Sequence, residues 1–185
     1  MAARHTYKLL AELLDYPSEQ LVADLRELIA EHGDVAGLLE AVDREHLFPR
    51  DEREKIAAFI AWALMEDSIE LQANYVKTFD MVPEHSLHLT HHLFGDDKNR
   101  GPALIDLSEY YKSFGLQHED GEIPDYLPLM LEFVSQLEEA EARIFLADAT
   151  KVFKVLAANL EKSASPYAPL IRVIENHGTL AKLAA

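Results

Sequence analysis

The stretch from Tyr126 to Leu137 constrains this chain more than any other. Eight of its twelve residues are apolar, and as a helix they spread around most of the circumference instead of forming one stripe. Such a helix must be buried all round, or must offer apolar surface to another molecule. Immediately before it, Glu119, Asp120, Glu122 and Asp125 crowd four carboxylates into seven residues. Acid beside apolar surface suits a segment that is both basic and apolar, which points to peptide binding.

The rest of the chain supplies helices to surround that one. Tyr7, Leu10, Leu13 and Leu14 share a face of a first helix, ended by Asp15-Tyr16-Pro17. Ser18 caps a second, which carries Leu21, Leu25, Leu28 and Ile29 and stops at Gly33. Asp34 caps a third, and an Ala-rich fourth runs from about Glu52 to Leu64. Asp67 opens a helix reaching roughly Asp80, and Pro83 starts a His-rich one ending near Phe94. Gly95 to Gly101 is a turn-forming connector, and Pro102 sits in the first turn of a helix stopped by Gly115. A long helix follows from about Glu139 to Glu161, then Ser163-Ala-Ser-Pro166, then a last helix from Tyr167 to His177. The expectation is a single all-α domain, a compact multi-helix bundle over residues 1–185, with 178–185 as a flexible tail.

Composition narrows the partners. With 33 acidic and 17 basic residues the formal charge is −16, which repels nucleic acid and anionic membrane and attracts basic partners. No cysteine is present, so disulfides and thiolate chemistry are excluded. The longest apolar run, Ile56 to Met65, is too short to span a bilayer, and the N-terminus has no signal-peptide pattern. A cytoplasmic protein is the simplest expectation.

Catalytic signatures are weak. His85, His88 and His92 would share a narrow arc of one helix, but no His-Glu-x-x-His pattern or distant ligand accompanies them. The Asp96–Gly101 loop has Lys98 and Arg100 where a calcium loop needs oxygen ligands. There is neither a phosphate loop nor a nucleophile elbow, and nothing nominates a catalytic triad. Glu122 and Asp125 as an acid/base pair lack a recognisable substrate pocket. Asp125 sits where a helix N-cap belongs, just before Tyr126, and Pro124 holds Ile123 extended. Tyr75 and Phe79 form an aromatic pair one turn apart, either core-facing or part of a site. Asp80, at the end of the same helix, opposes its dipole.

Taken in order, several elements resemble the NarJ family, the assembly chaperones or delta subunits of respiratory nitrate reductases, within the wider TorD/DmsD group. These are Tyr7-Lys-Leu-Leu10 with Leu14-Asp-Tyr-Pro17, Tyr75-Val-Lys-Thr-Phe-Asp80, Ser86-Leu-His-Leu89, Gly95-Asp96, Arg100-Gly101, Glu122-Ile-Pro-Asp-Tyr-Leu-Pro-Leu129 and Ser165-Pro-Tyr-Ala168. The resemblance implies an all-α chaperone and not an enzyme, with no cofactor of its own. Its partner would be the catalytic subunit of a molybdoenzyme, bound at a basic-apolar N-terminal segment and held competent for molybdenum cofactor insertion. The client-binding residues it implies are Tyr75, Phe79, Asp80, His88, Glu122, Pro124, Asp125 and Tyr126, with Met130 on the apolar helix. After Leu89 the chain reads Thr90-His-His-Leu-Phe-Gly95 in place of the Phe-Glu-His-Val-His-Gly type usual for nitrate reductase chaperones. That variation resembles chaperones of selenate, perchlorate or chlorate reductases and of ethylbenzene or dimethylsulfide dehydrogenases. Two other readings are a His/carboxylate metallohydrolase and a structural subunit retained in the mature complex.

Overall fold

Helix termini follow the local signals closely. In the computed structural model, which describes residues 3–44, 46–117 and 121–184 and side chains from residue 5 to 178 within those ranges, α1 spans Ala3–Leu14 and α2 Glu19–Glu31. The Ser18 hydroxyl accepts from the Leu21 N–H, and Gly33 takes a positive φ of 89° after the last turn. Asp34 caps α3 (Val35–Val42) by accepting from the Gly37 N–H, and Asp67 caps α5 (Ser68–Tyr75) through the Ile69 N–H. Between them, α4 runs from Arg50 to Met65. Three more helices, α6 (Leu89–Phe94), α7 (Arg100–Ser113) and α8 (Leu127–Gln136), precede the hairpin of α9 (Glu139–Lys162) and α10 (Ala168–Ala184). Among the described residues no strand occurs, so the fold is all-α, as expected.

Three departures from the expected pattern matter. The helix opened by Asp67 is regular only to Tyr75, and Val76–Asp80 widens into a π-helical turn closed by Met81 N–H to Val76 O at 3.2 Å. The His-rich helix is broken in two: a 3-10 turn at Pro83–His85 and then α6. The residues between are extended because their backbone pairs elsewhere. Leu89 N–H donates to Asp125 O at 3.0 Å and Leu127 N–H to Leu87 O at 2.9 Å, an antiparallel bridge centred on His88 and Tyr126. Third, α10 does not stop at His177 but continues to Ala184. Gly178 serves close approach: a Cβ there would lie 2.6 Å from Leu146 O of α9. Only hydrogen fits where the two backbones meet.

The core lies where α9 and α10 pack on one another and on α4 and α8, with α1 laid along α8. Leu10, Leu14, Ile56, Ile60, Leu127, Leu131, Phe153, Leu156, Leu170 and Ile174 are sealed from solvent. Helix α8 resolves the either/or posed by its composition: Leu127, Pro128, Met130, Leu131, Phe133 and Val134 are all buried. Its apolar surface is spent on the protein itself. A buried polar cluster pins α10 to its neighbours, with His177 3.1 Å from Glu52 of α4 and 3.3 Å from the Tyr7 hydroxyl of α1.

Candidate functional site

The bridge between residues 87–89 and 125–127 joins two segments of the sequence motif set, and Asp125 is its hub. Its side chain has no solvent exposure. Thr90 donates to Oδ2 twice, from its N–H at 2.9 Å and from its hydroxyl. His88 Nδ1 is 3.2 Å from Oδ1, and Arg100 brings Nη2 within 3.7 Å of Oδ2 while its Nε donates to the Thr90 hydroxyl at 3.0 Å. Burial pushes the Asp125 carboxyl upward, but the bonds from His88 and Thr90 and the His88 charge outweigh it and hold the group below the usual carboxylate range. The expected N-cap role is not what this side chain does. Tyr126 takes the N-cap position, and no side chain caps α8. The Asp125 carboxylate turns inward because Thr90 and Arg100, far off in sequence, supply stronger donors.

The remaining candidate residues divide into packed and accessible. Pro124 is buried, and its carbonyl accepts from the Tyr111 hydroxyl at 2.7 Å. Tyr75 and Phe79 are core-facing, their rings 5.9 and 4.9 Å from that of Tyr167. Met130 is buried in the wall of a small cavity of about 210 Å³ shared with Leu89, Leu93 and Leu107. His88 is half-buried, its ring 5.3 Å from that of Tyr126. Asp80 and Glu122 are exposed, whereas Glu119 and Asp120 lie outside the described residues. The histidines that might have formed a metal site each hold a polypeptide partner. His85 lies 3.0 Å from Thr78 O and 3.3 Å from Asn159 O, His92 lies 2.7 Å from Ser86 O, and His88 faces Asp125. Among the described residues no group of three or more metal-capable side chains assembles.

Tyr126 connects this hub to the end of α1. Its hydroxyl lies 2.9 Å from Asp15 Oδ1 and 2.7 Å from the Tyr75 hydroxyl, which donates to Leu14 O at 3.0 Å. Burial, with Asp15 and Asp80 adding, raises both phenols well above their ordinary values, so both keep their protons. Burial and the nearby Glu12 push Glu132 upward as well, with Glu122 and Asp15 adding and Lys8 opposing. Carboxylates from α1, α8, the π-helical turn and the 122 loop thus share one side of the molecule.

Beside them opens an apolar cavity of about 380 Å³ between α1, α2 and α3. Leu9, Leu13, Leu21, Leu25, Leu28 and Leu38 line it, with Lys8, Glu12 and Asp24 among the polar side chains at its walls. The open apolar surface beside these carboxylates is therefore this leucine groove, since α8 is buried. The α1 and α2 leucine stripes were visible as periodicity, but nothing in the sequence said that part of them stays uncovered.

A model of the nitrate reductase delta subunit family matches residues 8–172. The chain belongs to that family. It is 31% identical over 166 residues to the nitrate reductase molybdenum cofactor assembly chaperone NarJ of Escherichia coli K12, covering 90% of this chain and 66% of that protein. Against the probable chaperone NarJ of Bacillus subtilis 168 it is 33% identical over 172 residues, 91% of this chain and 85% of the relative. A Mycobacterium tuberculosis nitrate reductase-like protein, NarX, is 27% identical over 169 residues, which are only 23% of its length. The matched residues take in α1 from Lys8 onward, the Asp125 hub and the leucines of the groove.

Proposed function

We propose that this chain is an assembly chaperone of a respiratory molybdoenzyme, nitrate reductase or a relative, which captures the catalytic subunit before its molybdenum cofactor is in place. The client enters through an N-terminal segment that is basic and apolar. Its apolar face lies in the leucine groove between α1, α2 and α3, and its basic residues face the carboxylates of Glu12, Asp15, Glu122 and Glu132. The names of the E. coli and B. subtilis relatives support the role. The observation that carries the binding mode is the juxtaposition of an open apolar groove and an acidic flank in a chain of charge −16. Capture needs no bond-making, so the chain acts as a binding protein in the cytoplasm and releases the subunit for assembly.

Among the earlier candidates, His88, Asp80, Glu122 and Tyr126 remain at the accessible edge of this surface. Tyr75, Phe79, Pro124, Asp125 and Met130 act from below, by holding that edge in shape.

The test is a pull-down from native cytoplasm, comparing the natural protein with Leu28→Glu. Leu28 is 42% exposed, so the charge enters the groove without opening the core. The natural protein is expected to recover a cofactor-free molybdoenzyme catalytic subunit, and the variant to lose it with its helical circular dichroism unchanged. Equal recovery by both would move the client off the groove. Persistence of the chain in purified, active enzyme would instead make it a retained subunit.

A further inference from the structure

Helix α9 keeps one face to solvent from Glu141 to Val155. Glu141, Ile144, Asp148, Lys151, Val155 and Ala158 follow one another at alternating intervals of three and four residues, the spacing that lines side chains into one seam. The core lies on the opposite side of the helix, where Leu146, Phe153 and Leu160 are sealed. Ile144 is 63% exposed and Val155 52%, about 16 Å apart along the axis. Two β-branched aliphatic side chains thus stand in water at positions where a helix would pack against another.

The charges on this face sort by sign. The helix carries four acidic and four basic residues, in a chain with 33 acidic and 17 basic. Arg143 is held by Glu139 at 2.6 Å and Glu161 by Arg172 at 2.7 Å. What remains exposed is Glu141 and Asp148 in the first half, and Lys151, Lys154 and Lys162 in the second. Among the described residues none of these five is ion-paired. A face that is negative in one half and positive in the other meets like charge when laid parallel to itself. Turned antiparallel about a two-fold axis, it is its own complement, and the helix dipoles oppose as well. One register sets Asp148 against Lys151 of a second copy. The same register sets Ile144 against Val155 and Glu141 against Ala158, with Lys162 one turn further on, and symmetry makes each contact twice.

We propose that the outer face of α9 is a self-association surface, on which a second copy of this chain docks antiparallel through two Asp148–Lys151 ion pairs and two Ile144–Val155 contacts. The leucine groove is lined from α1, α2 and α3, so this pairing leaves a client seat open on each copy. A contact of this size belongs to reversible, concentration-dependent associations.

Sedimentation velocity over a wide concentration range tests it. The natural protein is expected to shift from one chain to two as concentration rises. Asp148→Lys alone and Lys151→Asp alone each set like charges face to face, and each should weaken the pairing about tenfold or more. Mixed together, these two variants should pair with each other, because every charge contact across the seam is then between opposite signs. The double variant, Asp148→Lys with Lys151→Asp, should pair with itself. Helical circular dichroism checks that these exposed substitutions leave the fold intact. A natural protein that stays a single chain at every concentration overturns the proposal, and loss of client recovery in the single variants would then give the face to the client. A dimer that both single variants keep overturns it too. Loss in the single variants without recovery in the mixture or the double variant overturns the pairing of Asp148 with Lys151.

Discussion

Asp125 and Asp15 lie at opposite ends of one polar strip, joined through Tyr126, and their surroundings have opposite balance. Asp125 has no exposure and donors on both oxygens: two from Thr90, one from His88 and a guanidinium close by. Asp15 is half-buried, with one oxygen taking two donors and the other open. A saturated carboxylate is structural, since any ligand must first break bonds as good as those it makes. An acceptor-rich one is available. Carboxylate content and motif membership are the same at both positions, so burial and the count of donors separate the closed carboxylate from the open one.

The comparison breaks most sharply at Asp125→Ala. This leaves Thr90, His88 and Arg100 around an emptied hub and should cost about 3–5 kcal/mol in urea unfolding. A loss below about 1 kcal/mol would put the two aspartates in one class. Replacing each by asparagine sharpens the contrast. At 125 the new amide points hydrogens at existing donors and should cost about 1–3 kcal/mol, whereas the half-buried side chain at 15 keeps an oxygen to accept from Tyr126 and Tyr16 and should leave stability within about 0.5 kcal/mol.

Acid provides a related measurement. The folded Asp125 carboxyl titrates below its ordinary 3.8, so its stabilisation is fully present above that value and is lost as pH falls through the folded-state value. The stability gap between the natural protein and Asp125→Asn should therefore narrow below about pH 4. A gap independent of pH would mean that the charge is not what the hub holds. Tyr111→Phe should have a smaller effect, about 1–2 kcal/mol, because the buried Pro124 carbonyl loses its 2.7 Å donor. The Leu28→Glu change belongs at the bottom of the stability scale, within about 0.5 kcal/mol, while client recovery falls.

Much of the fold was legible because its signals are local. Ser18, Asp34 and Asp67 cap helices as their types and positions suggest, and Gly33 and Gly115 end helices with positive φ. The motif order pointed to the family, whose model spans residues 8–172. The errors fall where a distant segment overrides a local preference. Asp125 reads as an N-cap until Thr90 and Arg100 arrive from 35 and 25 residues away in the chain. The Pro83–Phe94 stretch reads as one helix until its middle pairs with 125–127. The last helix reads as ending at His177 until α9 is seen to need a residue without a side chain at Gly178.

Sequence alone determined an all-α chain, acidic and without cysteine, with helix starts in place and one helix too apolar to stand in water. Those are properties of periodicity, charge and capping, which each segment carries by itself. Tertiary structure decided that α8 is covered while the α1 and α2 leucines stay partly open, and that Asp125 is closed while Asp15 is not. Burial and hydrogen-bond saturation depend on what remote segments bring to a residue, and composition does not encode that supply.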